Sequence, residues 1–328
     1  MQININNLIH IFDKKTPLET KALDDVSVQI NQGEYVGVIG QTGSGKTTFI
    51  EHLNALLLPN SGSIEWVFQN EKFNKKTKEN IKFIDSFSLR KKYPIEIEKK
   101  RFGKTYKKTI FETNFRTKVK KSKDLRKRVG IIFQFAEYQL FSETIKQDIA
   151  FGPMSFGVKK EEAYERAKKY LKLVGLDESY LEKSPFGLSG GQKRRVALAG
   201  ILAMEPDVIV ADEPTAGLDP AGVKEILNIF NALNGQGKTV VIVTHDLDNV
   251  LSVTKRVLLF KDGKIVKDGE TYEVLNDTNF LYENKLEPPR LLEFANELRN
   301  KGIDVPKVKT LEELVIYLNL YLETKGGK

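Results

Sequence analysis

Short apolar segments alternate with longer amphipathic segments from about Tyr35 to Phe260. The short segments, among them EYVGVIG, DVIVAD and TVVIV, are rich in valine and isoleucine and almost continuously apolar, which is typical of strands buried on both faces. The longer segments repeat their apolar positions at helical spacing. This alternation predicts an α/β fold with a largely parallel sheet.

Two of the longer segments predict specific helices. TTFIEHLNALLL follows the first buried strand, and Pro59 and Gly62 should end that helix. EEAYERAKKYLKLVGL places its apolar residues on one helix face, namely Ala163, Ala167, Leu171 and Val174.

The pattern changes after Phe260. Two helices are expected there, in PPRLLEFANELRNKG and TLEELVIYLNLYLETK, and Thr310 with Glu313 predicts a capping box at the start of the second. We expect residues 1–281 to form the main domain and residues 282–328 a small helical extension. The second helix carries an apolar stripe that such a short segment cannot bury alone, so it should pack on the main domain or on a partner: Leu311, Leu314, Val315, Leu318 and Leu322.

Composition excludes several kinds of protein. The chain has 328 residues, of which 40% are hydrophobic and 29% charged, so it is globular rather than disordered. It has no cysteine, which excludes disulfides, thiolate metal sites and a thiol nucleophile. The first residues lack the pattern of a signal peptide, and every apolar run is strand-sized. We therefore expect the protein to stay in the cytosol and, if it works at a membrane, to dock onto the membrane rather than cross it.

The positive charge is concentrated in one segment. Residues 70–128 contain 22 Lys or Arg and 7 Asp or Glu, a balance of +15, whereas the whole chain carries +8 and the remainder therefore −7. Within it, residues 70–124 form a lysine-rich insertion. IKFIDSFSL and KTIFETNFRTKV alternate in a way that suits β-hairpins with one lysine-rich face, and a solvated, mobile excursion is the alternative.

A glycine-rich segment joins the first buried strand to the helix after it. GQTGSGKT fits G-x-x-x-x-G-K-[ST] without mismatch. Such glycines let backbone amides converge on phosphate oxygens, and the helix N-terminus adds partial positive charge. Lys46 can bridge the β- and γ-phosphates, and the Thr47 hydroxyl can bind Mg²⁺. We expect every residue of the segment to take part in nucleotide binding: Gly40, Gln41, Thr42, Gly43, Ser44, Gly45, Lys46 and Thr47.

Polar residues follow two further strands. Asp212 ends DVIVAD and should hold Mg²⁺, while Glu213 can point at the γ-phosphate and polarise the attacking water. His245 follows TVVIVT at the strand edge where such sheets bind ligands, which favours a γ-phosphate contact. His10 and His52 have no such setting, and we predict no catalytic role for them.

Six motifs together resemble those of ABC-type ATPases. GQTGSGKT, Gln134 in GIIFQ, LSGGQ, DVIVADEP, AGLD and VTHD occur in the order and approximate spacing of that family. The resemblance implies a P-loop NTPase fold of ABC-ATPase type, with a mixed sheet core, an antiparallel β subdomain and a helical signature subdomain. It also implies ATP hydrolysis with Mg²⁺.

The family resemblance also implies how two subunits share ATP. They meet head to tail, so the signature turn of one subunit closes on ATP held by the phosphate loop of the other; here that turn is Ser189, Gly190, Gly191 and Gln192, and Asp219 should lie across the same interface. Gln134 would sense Mg²⁺ and the γ-phosphate. An aromatic residue normally stacks on adenine, and Phe12 is the candidate.

Further stretches resemble the ATPase subunits of energy-coupling factor transporters, the second of their two types more than the first. These are residues 133–158 and the helices after Leu286, although Ala136 stands where the family has proline. The resemblance implies a heterodimer with a second ABC ATPase, an integral membrane scaffold subunit, a substrate-binding membrane protein and a place on the cytoplasmic side of the cell membrane. The alternatives are the ATPase of a conventional ABC importer and a soluble ABC protein acting on ribosomes or nucleic acid. The latter is disfavoured because the chain has one cassette and no long coiled coil.

Overall fold

The computed structural model describes residues 1–74, 79–91, 95–101, 104–110 and 119–325, with side-chain surroundings for residues 1–69, 84–88 and 122–324. In chain order, the strands of this part are β1 Gln2–Phe12, β2 Thr20–Ile30, β3 Tyr35–Gly40, β4 Ser61–Asn74, β5 Glu79–Lys91, β6 Ile95–Arg101, β7 Lys104–Ile110, β8 Val129–Ile132, β9 Val208–Asp212, β10 Thr239–Val243, β11 Arg256–Lys261 and β12 Lys264–Glu270. Its α-helices are α1 Lys46–Leu53, α2 Val119–Arg128, α3 Ile145–Ser155, α4 Lys160–Leu173, α5 Gly190–Leu202, α6 Pro220–Gly235, α7 Leu247–Val253, α8 Thr271–Asn276, α9 Thr278–Glu283, α10 Arg290–Asn300 and α11 Leu311–Lys325.

A six-stranded sheet forms the centre of the molecule, in the order β12-β11-β3-β10-β9-β8. All neighbours are parallel except the edge strand β12. Every residue of β3, β8, β9 and β10 is buried, because α1 and the antiparallel sheet cover one face while α3 to α6 cover the other. The predicted α/β fold with a largely parallel sheet is confirmed.

A second, antiparallel sheet has the order β2-β1-β4-β5. Trp66 on β4 is fully buried, and its indole Nε1 donates a hydrogen bond to the Leu53 carbonyl oxygen at 2.7 Å. This bond fastens the antiparallel sheet to the C-terminal end of α1, so the second sheet is held against the helix that begins at the glycine-rich loop.

The lysine-rich insertion contains the predicted hairpins. IKFIDSFSL lies within β5, which pairs with β4 as far as Asn74 opposite Glu79, and β6 and β7 form a separate two-stranded sheet. Strand pairing is therefore present in the insertion, while residues 111–118 of KTIFETNFRTKV lie outside the described residues and a lysine-rich face stays a prediction.

Helix α1 ends at Leu53 instead of continuing to Leu58. The chain leaves the helix because Ala55 adopts a left-handed φ of 55° and the Asn54 side chain accepts a hydrogen bond from the Leu56 amide at 3.0 Å. Asparagine competes in this way with helical hydrogen bonding. Helix α4 agrees with its prediction, and its four predicted apolar residues are all buried.

The C-terminal helices bury only part of their apolar surface. Leu292 on α10 packs into a cluster with Leu247 and Leu281, which joins the extension to the main domain. In the α11 stripe Leu314 is buried and Leu318 partly so, but the other positions are exposed: Leu311, Val315 and Leu322. The main domain therefore does not cover most of the stripe.

The predicted capping box of α11 is half formed. Thr310 Oγ1 accepts a hydrogen bond from the Glu313 amide at 3.2 Å. The Glu313 carboxylate, however, accepts from the Lys309 amide at 2.6 Å rather than from that of Thr310. The side chain therefore reaches one residue further back than the motif requires.

His10 and His52 face each other inside the fold. Their ring centroids are 4.8 Å apart, and both side chains are buried between β1 and α1. His52 Nδ1 lies 2.7 Å from the Thr48 carbonyl oxygen, so this nitrogen carries the proton of a neutral ring. Both rings are therefore part of the packing between β1 and α1.

Burial lowers the pKa of His52 from 6.5 to about 4, and hydrogen bonds to backbone carbonyls oppose the shift only in part. Between pH 6.5 and pH 4, His52 binds a proton in the unfolded chain but stays neutral in the folded protein. The unfolding free energy therefore keeps its full value above pH 6.5 and falls as the pH decreases below it. We expect protonation of His52 in the unfolded chain to lower the unfolding free energy by about 2 kcal/mol between pH 7.5 and pH 5. Urea unfolding at both values should show that loss in the parent and much less in His52→Gln. The exposed His245→Gln is the control, and an equal loss in His52→Gln would exclude His52 as the cause.

Candidate functional site

The glycine-rich loop runs from the end of β3 to the first residue of α1. Gly45 has a φ of 102°, and a Cβ there would lie 2.5 Å from the Ala22 carbonyl oxygen. At Gly40, with a φ of 144°, a Cβ would lie 2.2 Å from the Phe260 carbonyl oxygen. Larger residues at these two positions would clash with backbone, so the loop shape requires glycine.

Lys46 folds back over this loop. Its ammonium donates hydrogen bonds to the carbonyl oxygens of Gly40 at 2.7 Å and Gln41 at 2.8 Å. Burial lowers the pKa of Lys46, and the carboxylates of Glu213 and Asp212 oppose that shift. The Ser44 hydroxyl is buried without a hydrogen-bond partner among the described residues. The partly buried ammonium of Lys46 and the unpaired hydroxyl of Ser44 could both bind phosphate oxygens.

Thr47 and Asp212 meet where α1 begins and β9 ends. The Thr47 hydroxyl donates to Asp212 Oδ2 at 3.0 Å, and Asp212 is only 6% exposed. Burial raises the pKa of Asp212, while the hydrogen bond from Thr47 opposes that rise. Hydroxyl and carboxylate oxygens are the ligands that Mg²⁺ prefers, so the two residues fit the role predicted for them.

Glu213 is held by residues that follow β10. Because β9 and β10 are parallel neighbours, Thr244 and His245 leave the sheet beside it. Thr244 Oγ1 donates to Glu213 Oε2 at 3.0 Å, and the His245 amide donates to Oε1 at 3.0 Å. His245 Nδ1 lies 2.8 Å from the same oxygen, although the ring itself is exposed. These contacts fix the carboxylate at the edge of the sheet beside the phosphate loop.

The signature turn forms a separate surface. Ser189 Oγ accepts from the Gln192 amide at 3.3 Å, and Gln192 Oε1 accepts from the Ser189 amide at 3.1 Å, which caps α5 at Gly190. Asp219 caps α6 in turn by accepting from the Gly222 amide at 2.7 Å.

Ser189, Gly191, Gln192 and Asp219 share the wall of a cavity of about 600 Å³. No residue of the glycine-rich loop, all of which is described, lines that cavity. The candidate residues thus fall into two groups, as expected if the signature turn serves a different ATP from the phosphate loop.

Gln134 and Phe12 are the two remaining residues predicted to contact nucleotide. Gln134 follows β8 by two residues at the same sheet edge as Asp212, and its side chain is exposed. Phe12 ends β1, is partly exposed, and packs edge to face against His10 with ring centroids 4.4 Å apart. Their contacts with nucleotide remain predictions.

Sequence reasoning did not single out two residues of the site. Thr244 orients Glu213, and its place before His245 was a signal that could have found it. Arg194 bonds to Glu137, 57 residues away, and to the Ala216 carbonyl oxygen. Both positions lie beside recognised motifs, but their pairing depends on the fold.

Comparison with known proteins agrees with these features. Residues 23–216 match the ABC transporter family. The chain is 57% identical to the energy-coupling factor transporter ATP-binding protein EcfA2 of Mycoplasmopsis pulmonis, over 99% of this chain and 98% of that protein. It is 55% identical to the EcfA2 of Mycoplasmopsis synoviae, over 100% of this chain and 98% of the relative. The predicted resemblance to the second ATPase type is confirmed.

Two solved structures share the fold. cbiO1 from Clostridium perfringens, part of the ABC transporter complex cbiONQ, has a TM-score of 0.63 and 29% identity over 90% of this chain and 98% of that one. The ATP-binding cassette MJ0796, in a dimeric post-hydrolysis state bound to ADP and Pi, has a TM-score of 0.61 and 26% identity over 82% of this chain and 98% of the other. The predicted ABC-ATPase fold is therefore confirmed.

Among the described residues, no helix combines the length and apolarity that a membrane span requires. The full-length relatives agree with an energy-coupling factor transporter and not with the alternatives of a conventional importer or a ribosome-associated protein. The chain therefore belongs to the ABC transporter family and, within it, to the ATP-binding, ATP-hydrolysing subunits of energy-coupling factor transporters.

Proposed function

We propose that this ATPase pairs with a second ABC ATPase and that the pair drives uptake of vitamins or metal ions through an integral membrane scaffold subunit and a substrate-binding membrane protein. The chain would then lie on the cytoplasmic side of the cell membrane as a peripheral subunit. Residues 1–281 would be its ATP-binding domain, and residues 282–328 an extension whose exposed α11 stripe suits contact with the second ATPase.

The phosphate loop would bind the nucleotide, and the carboxylates at the strand ends would hold Mg²⁺ and orient the attacking water. The loop amides and Lys46 bind the phosphates, and Thr47 with Asp212 would hold Mg²⁺, together with Gln134. When bound, Mg²⁺ neutralises charge that develops on the phosphate oxygens. Glu213, fixed by Thr244 and His245, accepts a hydrogen bond from the attacking water and orients it, while His245 is placed to contact the γ-phosphate.

The signature turn completes the site of the second ATPase. The free amides at the start of α5, next to Ser189, Gly190 and Gly191, suit a γ-phosphate that approaches from another subunit. Asp219 shares their cavity and would lie in the same interface. Two ATP molecules would then hold the pair closed, and hydrolysis would release it.

An exposed apolar surface carries the proposed link to the membrane subunits. It lies in the segment after Gln134, and its large side chains are all exposed: Phe135, Tyr138, Phe141, Phe151 and Met154. Phe141 and Phe151 pack edge to face with ring centroids 4.8 Å apart. Clustered aromatic residues on a surface mark interaction sites. We call these five residues the aromatic patch and assign it to a helix of the scaffold subunit.

Affinity purification of the tagged chain from detergent-solubilised native membranes tests the proposal. We expect mass spectrometry to identify a second ABC ATPase, a small integral scaffold protein and at least one substrate-binding membrane protein. Recovery of ribosomal proteins or nucleic acid, without membrane partners, would contradict it and direct attention to the lysine-rich insertion.

The aromatic patch can be tested in the same purification. Phe141→Asp should reduce recovery of the scaffold by about tenfold or more, since a central aromatic residue of an interface often contributes 2 kcal/mol or more to binding. Leu18→Asp is the matched control, because Leu18 is also a large exposed apolar residue but lies outside the patch. Equal recovery with both variants would place the scaffold elsewhere.

A further inference from the structure

One buried arginine joins three segments of the ATPase. Arg194 lies on α5, just after the signature turn, and its side chain is 8% exposed. Its Nε and Nη2 donate to the two carboxylate oxygens of Glu137 at 3.2 and 2.9 Å. Its Nη1 donates to the carbonyl oxygen of Ala216. One planar guanidinium thus contacts a carboxylate and a backbone carbonyl from two other parts of the chain.

Each of the three segments carries a residue that the proposed function places against ATP. Glu137 lies in a short 3₁₀ helix, Ala136–Gln139, which begins two residues after Gln134. Ala216 lies in the turn between Glu213 and Asp219, where its amide donates to the Glu213 carbonyl oxygen at 3.2 Å. Arg194 itself follows Ser189. The three contacts therefore connect the segment of Gln134, which faces this chain's own ATP, to the turn that faces the partner's ATP.

We propose that Arg194 is a positioning residue that makes the Gln134 segment, the signature turn and the Glu213–Asp219 turn move as one unit, so that closure at one ATP site is transmitted to the other. This inference rests on the proposed roles of Gln134 and Ser189. It adds a residue that contacts neither nucleotide but sets the relative position of the groups that do.

Charge and geometry both favour a tight connection. Burial alone would raise the pKa of Glu137, yet the hydrogen bonds and charge of Arg194 hold that pKa below its usual value, so the pair stays ionised. A two-pronged arginine–carboxylate contact fixes orientation as well as distance. Lysine keeps the charge but lacks the planar fork, so it cannot satisfy both partners in the same arrangement.

The test compares Arg194→Lys and Glu137→Gln with the parent in the complex purified with its partner subunits. We expect each variant to lower the kcat of ATP hydrolysis about tenfold, because small misplacements of catalytic groups are costly. Equilibrium binding of ATP should stay within about twofold of the parent, since the phosphate loop is untouched. The double variant should be no slower than the slower single variant, because the two residues act as one unit.

Arg166→Lys is the matched control. Arg166 on α4 also bonds a carboxylate through two nitrogens, that of Glu162, and a backbone carbonyl, that of Ala203, and it pairs with Glu205. None of these partners is a residue that we propose to contact ATP. An equal fall in kcat with Arg166→Lys, or an unchanged kcat with Arg194→Lys, would overturn the inference. Recovery of the membrane subunits is measured separately and tests the proposed function. If the complex assembles but Arg194→Lys leaves the kcat unchanged, only the inference about Arg194 is wrong.

Discussion

Replacing Glu213 by glutamine is expected to lower the kcat of ATP hydrolysis by about a hundredfold or more, the usual contribution of a positioned general base. The amide keeps the size of the side chain and a carbonyl oxygen that accepts from Thr244 or His245. It loses the negative charge that polarises the attacking water. Phosphate release by the purified complex measures the effect, and ATP should still bind and hold the ATPase pair closed.

Glu162→Gln provides the comparison for this variant. Glu162 is an exposed carboxylate on α4 that bonds Arg166, so its replacement changes charge by the same amount without touching the site. We expect its kcat to equal that of the parent. If Glu213→Gln also hydrolyses ATP at the parent rate, the attacking water is oriented by another group and the assignment of Glu213 is wrong.

Replacing Lys46 by methionine is expected to raise the dissociation constant of ATP by about a hundredfold or more. Methionine has a similar length but no charge, and the lost charge-assisted hydrogen bonds to phosphate are together worth about 3 kcal/mol. Titration with a fluorescent ATP analogue measures the change. Bonds from Lys46 to Gly40 and Gln41 are also lost, so urea unfolding must accompany the titration.

The exposed Lys21→Met is the control for Lys46, because Lys21 pairs with Asp24 at the surface and lies outside the glycine-rich loop. Such a surface pair contributes little to stability, at most about 1 kcal/mol, and we expect no change in ATP affinity. A Lys46→Met protein that unfolds at the parent's urea concentration but still binds ATP tightly would show that the loop amides alone hold the phosphates.

Sequence reasoning anticipated which residues the fold brings together at the proposed ATP site, because the features that mark them are local. The glycine-rich loop occupies consecutive residues between a strand and a helix, and Asp212 and His245 follow strands whose apolar character is unmistakable. Parallel pairing of β9 with β10 then brings the strand ends together without further information. Spacing along the chain was sufficient for these groups.

Features that depend on a choice between local and distant contacts were less accessible. The end of α1 is set by the left-handed Ala55 and by the Asn54 side chain, neither of which helical periodicity shows. The bond between Arg194 and Glu137 joins residues 57 positions apart, and both would read as ordinary surface charges on a helix. The apolar stripe of α11 predicted that these side chains pack on the main domain or on a partner. The main domain does not cover them, since Leu311, Val315 and Leu322 remain exposed.

The backbone at Glu213 holds the proposed catalytic carboxylate in a strained conformation. Its φ of 46° is left-handed, although the residue is neither glycine nor asparagine. Such a conformation costs on the order of 1 kcal/mol, from a total stability of about 5 to 15 kcal/mol for a typical domain. Glycine would relieve that strain but leave Thr244 and His245 without the carboxylate they orient. Glycine would thus exchange backbone strain for the loss of three hydrogen-bond contacts, so the carboxylate that we propose for catalysis also offsets the strain of its own backbone.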